Sequence, residues 1–199
     1  MAHRPGKAAI LRAAVEVMGE DGYEGSSTRD MAARAGVTVA ALYHHFPSKL
    51  DLLREFLDEA HEITLARIER RLAALADPTP AARLDEAVAT LIATHLHDGF
   101  ARRASNVALR EYTRLAPEDR AAIDAKRARL LDLFTDLVRP FDVAEPRETS
   151  RAIVTLCSSL VEPFAEMGGS MPAVIALHQA FARRLVGAEA GTGSHSSEG

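Results

Sequence analysis

Two adjacent histidines, His44 and His45, lie in the segment VTVAALYHHFPSK, which covers residues 37–49. An imidazole can bind a metal ion, exchange a proton in catalysis or donate a hydrogen bond to phosphate, so three kinds of chemistry are open to this segment. Adjacent side chains on a helix point about 100° apart, and the two rings therefore cannot bind one ion from the same face. The spacing disfavours a metal site and leaves the other two chemistries open.

A second pair of histidines, His95 and His97, stands just before Asp98-Gly99. If a helix ended there, the pair could join His61 and nearby carboxylates in a metal site. Histidines that pack in the core or face solvent explain the same pattern without a ligand, and we predict no metal.

Catalytic motifs are absent from the sequence. It contains no G-x-S-x-G, no H-E-x-x-H and no Gly-rich phosphate loop. Cys157, the only cysteine, lies in the apolar segment VTLCSSLVEPF, which favours a small buried side chain over a redox sensor. We predict neither catalytic residues nor a cofactor.

The composition is that of an ordinary globular protein. The 199 residues are 47% hydrophobic and carry a net charge of −4, so the chain is not a strongly basic nucleic-acid binder. One cysteine excludes an internal disulfide and fits a reducing compartment. No run of about 18 apolar residues occurs, and the first residues lack the apolar core of a signal peptide. We predict a cytoplasmic protein that does not enter a membrane.

Apolar residues recur with helical periodicity, and no hairpin signal occurs. The first part of the chain predicts four helices, at 5–20, 28–35, 38–45 and 49–76. After a DPTP linker at 77–80, the pattern predicts five more, at 81–98, 102–116, 118–138, 146–167 and 172–186. The fold class is therefore all-α, with about nine helices.

The short segments TRDMAARA and TVAALYHH, separated by GV, have the lengths and spacing of a helix-turn-helix. Ser27 and Thr38 are placed as N-caps of the two helices, and Gly36 permits the sharp turn between them. Met31 and Leu42 are placed to face the core. Such a unit exposes the first half of its second helix to the major groove of DNA.

Residues 9–56, and above all GYEGSSTRDMAARAGVTVAALYHHFPSKLDLL, resemble the N-terminal domain of the TetR family of bacterial transcriptional regulators. The resemblance rests on Gly22-Tyr23, RDMAARAGV, LYHHF, and PSK before LLREFL. It implies a helix-turn-helix DNA-binding head at 1–48 and a helical body at 49–187 for ligand binding and dimerisation. The Gly/Ser-rich residues 188–199 are predicted to form a disordered tail.

The resemblance also implies DNA contacts at individual positions. Hydroxyl, ring and cationic groups would meet the phosphates, while the first turns of the second helix would face the groove. The predicted DNA-binding residues are Ser27, Arg29, Thr38, Val39, Ala40, Tyr43, His44 and Lys49.

The chain departs from many relatives directly after the capping threonine. Those relatives have a lysine or another polar residue, whereas this chain has Val39, Ala40 and Ala41. Recognition of bases would then rely on thymine methyl groups together with Tyr43, or on DNA shape.

Polar and aromatic residues on otherwise apolar helices of the body are candidates for lining a ligand cavity. The predicted ligand-binding residues are His95, Phe100, Asn106, Arg110, Tyr112, Phe134, Cys157, Glu162 and Phe164. The segment SNVALREYTRLAPEDRAAIDAKRARLLDLFTDLV is similar to the matching part of TetR-like regulators of lipid, sterol or other acyl-CoA catabolism. This similarity implies an acyl thioester ligand, with Arg102, Arg103 or Arg110 at its phosphates. A solvated arginine face beside an apolar core is the alternative.

The last two predicted helices carry more apolar positions than one side of a small bundle needs, which favours a homodimer joined through them; closure of the subunit core is the alternative. We predict a repressor that binds double-stranded operator DNA and is released by a small hydrophobic effector. A helical enzyme and a structural adaptor that does not bind DNA are the other hypotheses.

Overall fold

The computed structural model describes residues 6–76, 78–97, 115–159 and 170–188, together with Arg103, Val107, Glu111 and Tyr112. Within these residues all regular structure is helical and no strand occurs, so the predicted all-α class is confirmed. Eight α-helices are found in this part of the chain: α1 Lys7–Gly25, α2 Thr28–Ala35, α3 Val39–His45, α4 Lys49–Ala73, α5 Pro80–His97, α6 Pro117–Val138, α7 Pro146–Ser159 and α8 Met171–Leu185. A short 3-10 helix, Arg139–Phe141, follows α6.

Several predicted segments fall wholly or largely outside the described residues. They are the helix at 102–116, the end of the helix at 146–167, and the tail at 188–199. None of the helices in the described ranges has the length and apolarity needed to cross a membrane.

The chain divides into two compact units. The first unit comprises Met1–Arg67 and Thr94–Arg129, and the second unit comprises Ile68–Ala93 and Leu130–Gly199. The predicted boundary at residue 48 is a division by role and stays a prediction.

One hydrophobic core holds the first unit together. Its fully buried side chains include Met18 of α1, Met31 of α2, Leu42 of α3 and Phe56 of α4. Burial of each such side chain stabilises the fold by about 1.5–3 kcal/mol. Three residues from beyond the first four helices complete the same core: Val107, Leu115 and Ile123.

Helix α1 continues further than the sequence predicts. The predicted helix ends at residue 20, just before Gly22. Gly22 does adopt a left-handed φ of 73°, but helical geometry resumes after this kink and continues to Gly25. The Ser26 N–H then donates to the Gly22 carbonyl at 3.2 Å. A single positive-φ glycine therefore bends the helix at this point, where the sequence suggested a stop.

Three helices begin with the same hydroxyl cap, and the caps at Ser27 and Thr38 confirm the sequence prediction. The side-chain oxygens of Ser27, Thr38 and Ser48 each accept a hydrogen bond at 3.1 Å from the backbone N–H three residues later. Each cap satisfies one of the donors that a helix start leaves unpaired. The caps therefore fix where α2, α3 and α4 begin.

Gly36 makes the turn between α2 and α3. Its φ of 70° and ψ of 30° are left-handed, its N–H donates to the Ala33 carbonyl at 3.1 Å, and the Val37 N–H donates to the Ala32 carbonyl at 2.9 Å. This pair of bonds is the Schellman motif, which satisfies the last carbonyls of α2 and reverses the chain.

Replacing Gly36 with alanine is expected to lower the free energy of unfolding by about 1–2 kcal/mol, because a Cβ is strained in the left-handed region. Gly19→Ala is the matched control. Gly19 lies inside α1, where an added Cβ would make an ordinary 3.6 Å contact with Arg103 Cδ, so that substitution should stabilise by about 0.5–1 kcal/mol. Urea denaturation of both variants measures the difference, and equal stabilities would contradict it.

The second unit has its own buried apolar side chains and a set of polar contacts between α5 and α8. Arg183 of α8 binds the Asp85 carboxylate of α5 with two nitrogens, its Nε lying 2.9 Å from Oδ1. The Gln179 amide donates to the Asp85 carbonyl at 3.0 Å. Helix α8 also packs against α7. These contacts hold α5 and α8 together beside a core that includes Leu84, Phe134 and Ile153.

Candidate nucleic-acid interface

Helix α3 has one buried side and one open side. Leu42 is 0% exposed, whereas Val39 is 37% and Tyr43 is 45% exposed. Thr38, Ala40 and His44 are exposed as well. Because Val39 and Tyr43 are four residues apart, they share one face of the helix. The predicted groove-facing residues therefore do lie together on an open surface, and Leu42 anchors the helix from the opposite side.

The Tyr43 hydroxyl lies 3.2 Å from Thr28 Oγ1, at the start of α2. This bond ties the open face of α3 to the preceding helix. The sequence prediction did not include Thr28, and no local signal marks it, because the contact depends on how α2 and α3 cross.

Lys49 takes part in the internal structure of the first unit. Its ammonium donates to the Ser26 carbonyl at 2.6 Å and lies 4.5 Å from the centre of the Tyr23 ring. Burial lowers the pKa of Lys49, although the nearby carboxylates of Glu24 and Glu111 act in the opposite direction. Burial also raises the pKa of Tyr23, and Glu24, Glu111 and Asp51 reinforce that shift. The predicted contact of Lys49 with phosphate stays a prediction.

Three more predicted DNA-binding residues differ in the contacts they make within the protein: Ser27, Arg29 and His44. The Ser27 hydroxyl donates to the Asp30 carboxylate at 2.5 Å while it caps α2. Arg29 is exposed on α2. The exposed His44 ring packs edge-on against His45, with 5.5 Å between ring centres. Among the described residues no group of three metal-binding side chains occurs.

Glu111 makes a long-range contact with the backbone of Tyr23 that the sequence did not predict. Only 7% of it is exposed, and its Oε1 accepts a hydrogen bond from the Tyr23 backbone N–H at 3.3 Å. The bond joins residues 88 positions apart and lies directly after the kink at Gly22. No sequence pattern at such a separation could have indicated it.

Five of the nine predicted ligand-binding residues lie outside the described residues: Phe100, Asn106, Arg110, Glu162 and Phe164. His95 and Tyr112 are partly exposed and belong to the first unit, where the Tyr112 hydroxyl donates to Asp124 at 2.5 Å. Phe134 and Cys157 are buried in the second unit.

Cys157 is chemically quiet. Burial raises the pKa of its thiol to about 12, so the reactive thiolate is scarce at neutral pH. This fits the predicted role as a small buried side chain.

Of the three candidate phosphate-binding arginines, the structure describes only Arg103, and the predicted phosphate contacts stay a prediction. Arg102 and Arg110 lie outside the described residues, and the Arg103 guanidinium is 3.8 Å from the Glu16 carboxylate.

A groove of about 420 Å³ lies in the second unit. Leu72, Leu133 and Leu137 line it together with the charged residues Glu69, Arg83 and Asp136. Phe134 and Cys157, the described ligand candidates of this unit, are not among its lining residues.

A capped helix, a left-handed glycine turn and a second helix with an open face, in an all-α chain, define the class of helix-turn-helix proteins. The model for "Bacterial regulatory proteins, tetR family" matches residues 10–56, and the model for "Tetracyclin repressor-like, C-terminal domain" matches residues 77–185. The chain belongs to the TetR family.

Individual relatives agree with this assignment. The HTH-type transcriptional repressor KstR of Mycolicibacterium smegmatis is 40% identical over 90 residues, which are 45% of this chain and 43% of KstR. The match thus spans less than half the length of that relative. A bacterial regulatory protein in the tetR family from Rhodococcus RHA1 superposes with a TM-score of 0.79 at 27% identity, over 91% of this chain and 97% of that one.

A further solved structure, AibR in complex with isovaleryl coenzyme A and operator DNA, shares the fold. It superposes with a TM-score of 0.73 at 23% identity, over 90% of this chain and 97% of AibR.

Proposed function

We propose that this protein is a transcriptional repressor that places α3 in the major groove of operator DNA. The observation that carries the proposal is the open face of α3, where Val39 and Tyr43 stand free of the core while Leu42 fixes the helix from behind. In helix-turn-helix proteins the side chains that reach base edges stand on a solvent-facing helix that the core holds in place. The similarity to KstR, a repressor, supports the same role.

The proposed division of roles follows the family. Residues 1–48 bind DNA, and residues 49–187 bind the effector and form the dimer. Two copies would join through α7 and α8, so that two heads meet successive major grooves about 34–36 Å apart. Leu185, 41% exposed on α8, is an apolar side chain that such an interface would cover.

Light scattering tests the dimer. It should give twice the chain mass of 21.5 kDa, and Leu185→Glu should shift the protein toward that single-chain mass, because an unpaired charge in an apolar interface is costly. A single-chain mass for the unaltered protein at micromolar concentration would contradict the proposal.

The effector we propose is a small hydrophobic molecule, and more finely an acyl-CoA thioester. The similarity of residues 105–138 to regulators of lipid, sterol or other acyl-CoA catabolism supports this choice, and so does AibR, a protein of the same fold whose structure contains isovaleryl coenzyme A. By binding preferentially to a subunit arrangement that does not match the operator, the effector would shift the population away from the DNA-bound state.

DNA shift assays on the region upstream of the gene, at low salt, test the proposed function. We expect a discrete complex that an excess of unrelated DNA does not remove. Failure to bind any upstream fragment would overturn the repressor and favour a structural adaptor. Acyl-CoA esters of several chain lengths are then added, and release by none of them would overturn the thioester while the DNA-binding function stands. Turnover of an ester would favour the enzyme.

A further inference from the structure

The outer face of α3 is apolar at the position where it is most open. Only three large hydrophobic side chains in the described part of the chain are exposed, and two of them, Val39 and Tyr43, lie four residues apart on this one helix. Ala40, beside Val39, is exposed too. Exposed large apolar groups gathered on one face usually mark a surface that a partner covers.

Local structure does not account for Val39. Valine is a weak helix former, because its branched Cβ restricts the side chain against the preceding turn. The start of α3 is already secured by Thr38, whose hydroxyl oxygen accepts the Ala41 N–H at 3.1 Å. An exposed valine at this position thus contributes little to the fold and is available for a partner.

Polar groups on the same face are few, and two of them are engaged. The Thr38 oxygen caps the helix, and the Tyr43 hydroxyl is bonded to Thr28 Oγ1 at 3.2 Å. What Val39 and Ala40 present outward is methyl groups, with no donor or acceptor on either side chain.

The surroundings of this face suit a polyanion. Arg29, next to the Thr28 that bonds Tyr43, is exposed, and His44 follows Tyr43 on the outer side of α3. Asp30, the acid beside Arg29, accepts the hydrogen bond of the Ser27 hydroxyl and so belongs to the cap of α2. An apolar centre can contact the base edges at the bottom of a DNA groove, and a cationic neighbour can contact the phosphates along its sides.

We propose that Val39 and Ala40 select A·T base pairs in each operator half-site by packing against the C5-methyl group of thymine. This inference rests on the proposed function and specifies what the same face recognises. Of the four DNA bases only thymine carries a methyl group in the major groove, so a methyl-lined surface can distinguish A·T from G·C without a hydrogen bond. A thymine methyl buried against Val39 should contribute roughly three- to fivefold in affinity, the factor expected for one buried methylene-sized group.

Deoxyuridine substitution tests the inference directly. It removes only the C5-methyl group of thymine and keeps the base pair. The operator is first located by footprinting of the upstream DNA, and each thymine is then replaced in turn in a labelled duplex. Fluorescence anisotropy should show one or two positions per half-site where the affinity falls three- to fivefold, and about tenfold or more when both half-sites are changed.

Val39→Ala assigns the effect to the protein. This variant is expected to bind the thymine operator more weakly and to bring the thymine-to-deoxyuridine affinity ratio close to one at a sensitive position. His44→Ala is the control, because loss of a backbone contact should weaken binding to both duplexes equally and preserve the ratio. Circular dichroism should show both variants folded, since both positions are exposed.

A ratio of one at every thymine, with operator binding intact, would overturn the methyl contact and leave the repressor function standing. Sensitivity that persists unchanged in Val39→Ala and in Ala40→Gly would overturn the assignment to these two side chains. Failure of the unaltered protein to bind the thymine duplex at all would overturn the proposed function together with this inference.

Discussion

Replacing Leu42 with alanine is expected to lower the free energy of unfolding by about 2–5 kcal/mol, a large share of the stability of a domain this size. Leu42 is 0% exposed and belongs to the core that joins the first four helices. The substitution leaves a cavity in place of the one buried side chain of α3. Operator affinity should therefore fall as well, because α3 is no longer held in one position.

The adjacent Tyr43→Ala is the matched control. Tyr43 is 45% exposed, and removing an exposed side chain changes stability by only about 0.5–1 kcal/mol. Its operator affinity should nevertheless fall. Chemical denaturation and anisotropy on both variants separate the two effects. Equal stabilities of the two variants would show that Leu42 does not anchor the helix.

Operator binding is expected to weaken steeply with salt, although the chain carries a net charge of −4. Arg29 and Lys49 from each of two subunits give four predicted cationic contacts with phosphate. Four contacts imply a slope of about −3.6 in a plot of log K against log salt, or roughly a hundredfold loss between 50 and 200 mM. The long-range field of the protein matters less than these local charges.

Arg29→Ala removes two of the four contacts in a dimer and should halve the slope to about −1.8. Arg71→Ala is the control. Arg71 binds Glu86 at 2.6 Å in the second unit, and its loss should leave the slope unchanged. An affinity that does not respond to salt would contradict the phosphate contacts altogether.

Much of the helix-turn-helix could be predicted from the sequence, because the signals are local. Ser27, Thr38 and Ser48 mark helix starts through hydrogen bonds that span three residues, and Gly36 marks the turn through its own backbone. Such interactions join residues close together in the sequence, so the sequence alone can predict them. Local signals do not always decide the structure. At Gly22 the same glycine is compatible with the end of a helix or with a kink inside it, and the structure has the kink.

The contacts that position the open face could not be predicted in the same way. The hydroxyls of Thr28 and Tyr43 are hydrogen-bonded across 15 residues. Lys49 donates to the Ser26 carbonyl across 23 residues, and Glu111 accepts from the Tyr23 amide across 88. Each depends on how whole helices pack, which no short pattern encodes. The four described ligand candidates, predicted one at a time from apolar helices, belong two to each unit, and their role stays a prediction.

The core of the first unit bears on how this protein can be re-engineered. Val107, Leu115 and Ile123 cover the same apolar surfaces that the first four helices present, and Glu111 binds the backbone after Gly22. A chimaera that transplants residues 1–48 onto an unrelated effector domain would leave those surfaces uncovered and that amide without its carboxylate. We therefore expect operator specificity to be changed more readily by substituting side chains on the outer face of α3 within this chain. Transplanting residues 1–48 as a unit would destabilise their fold.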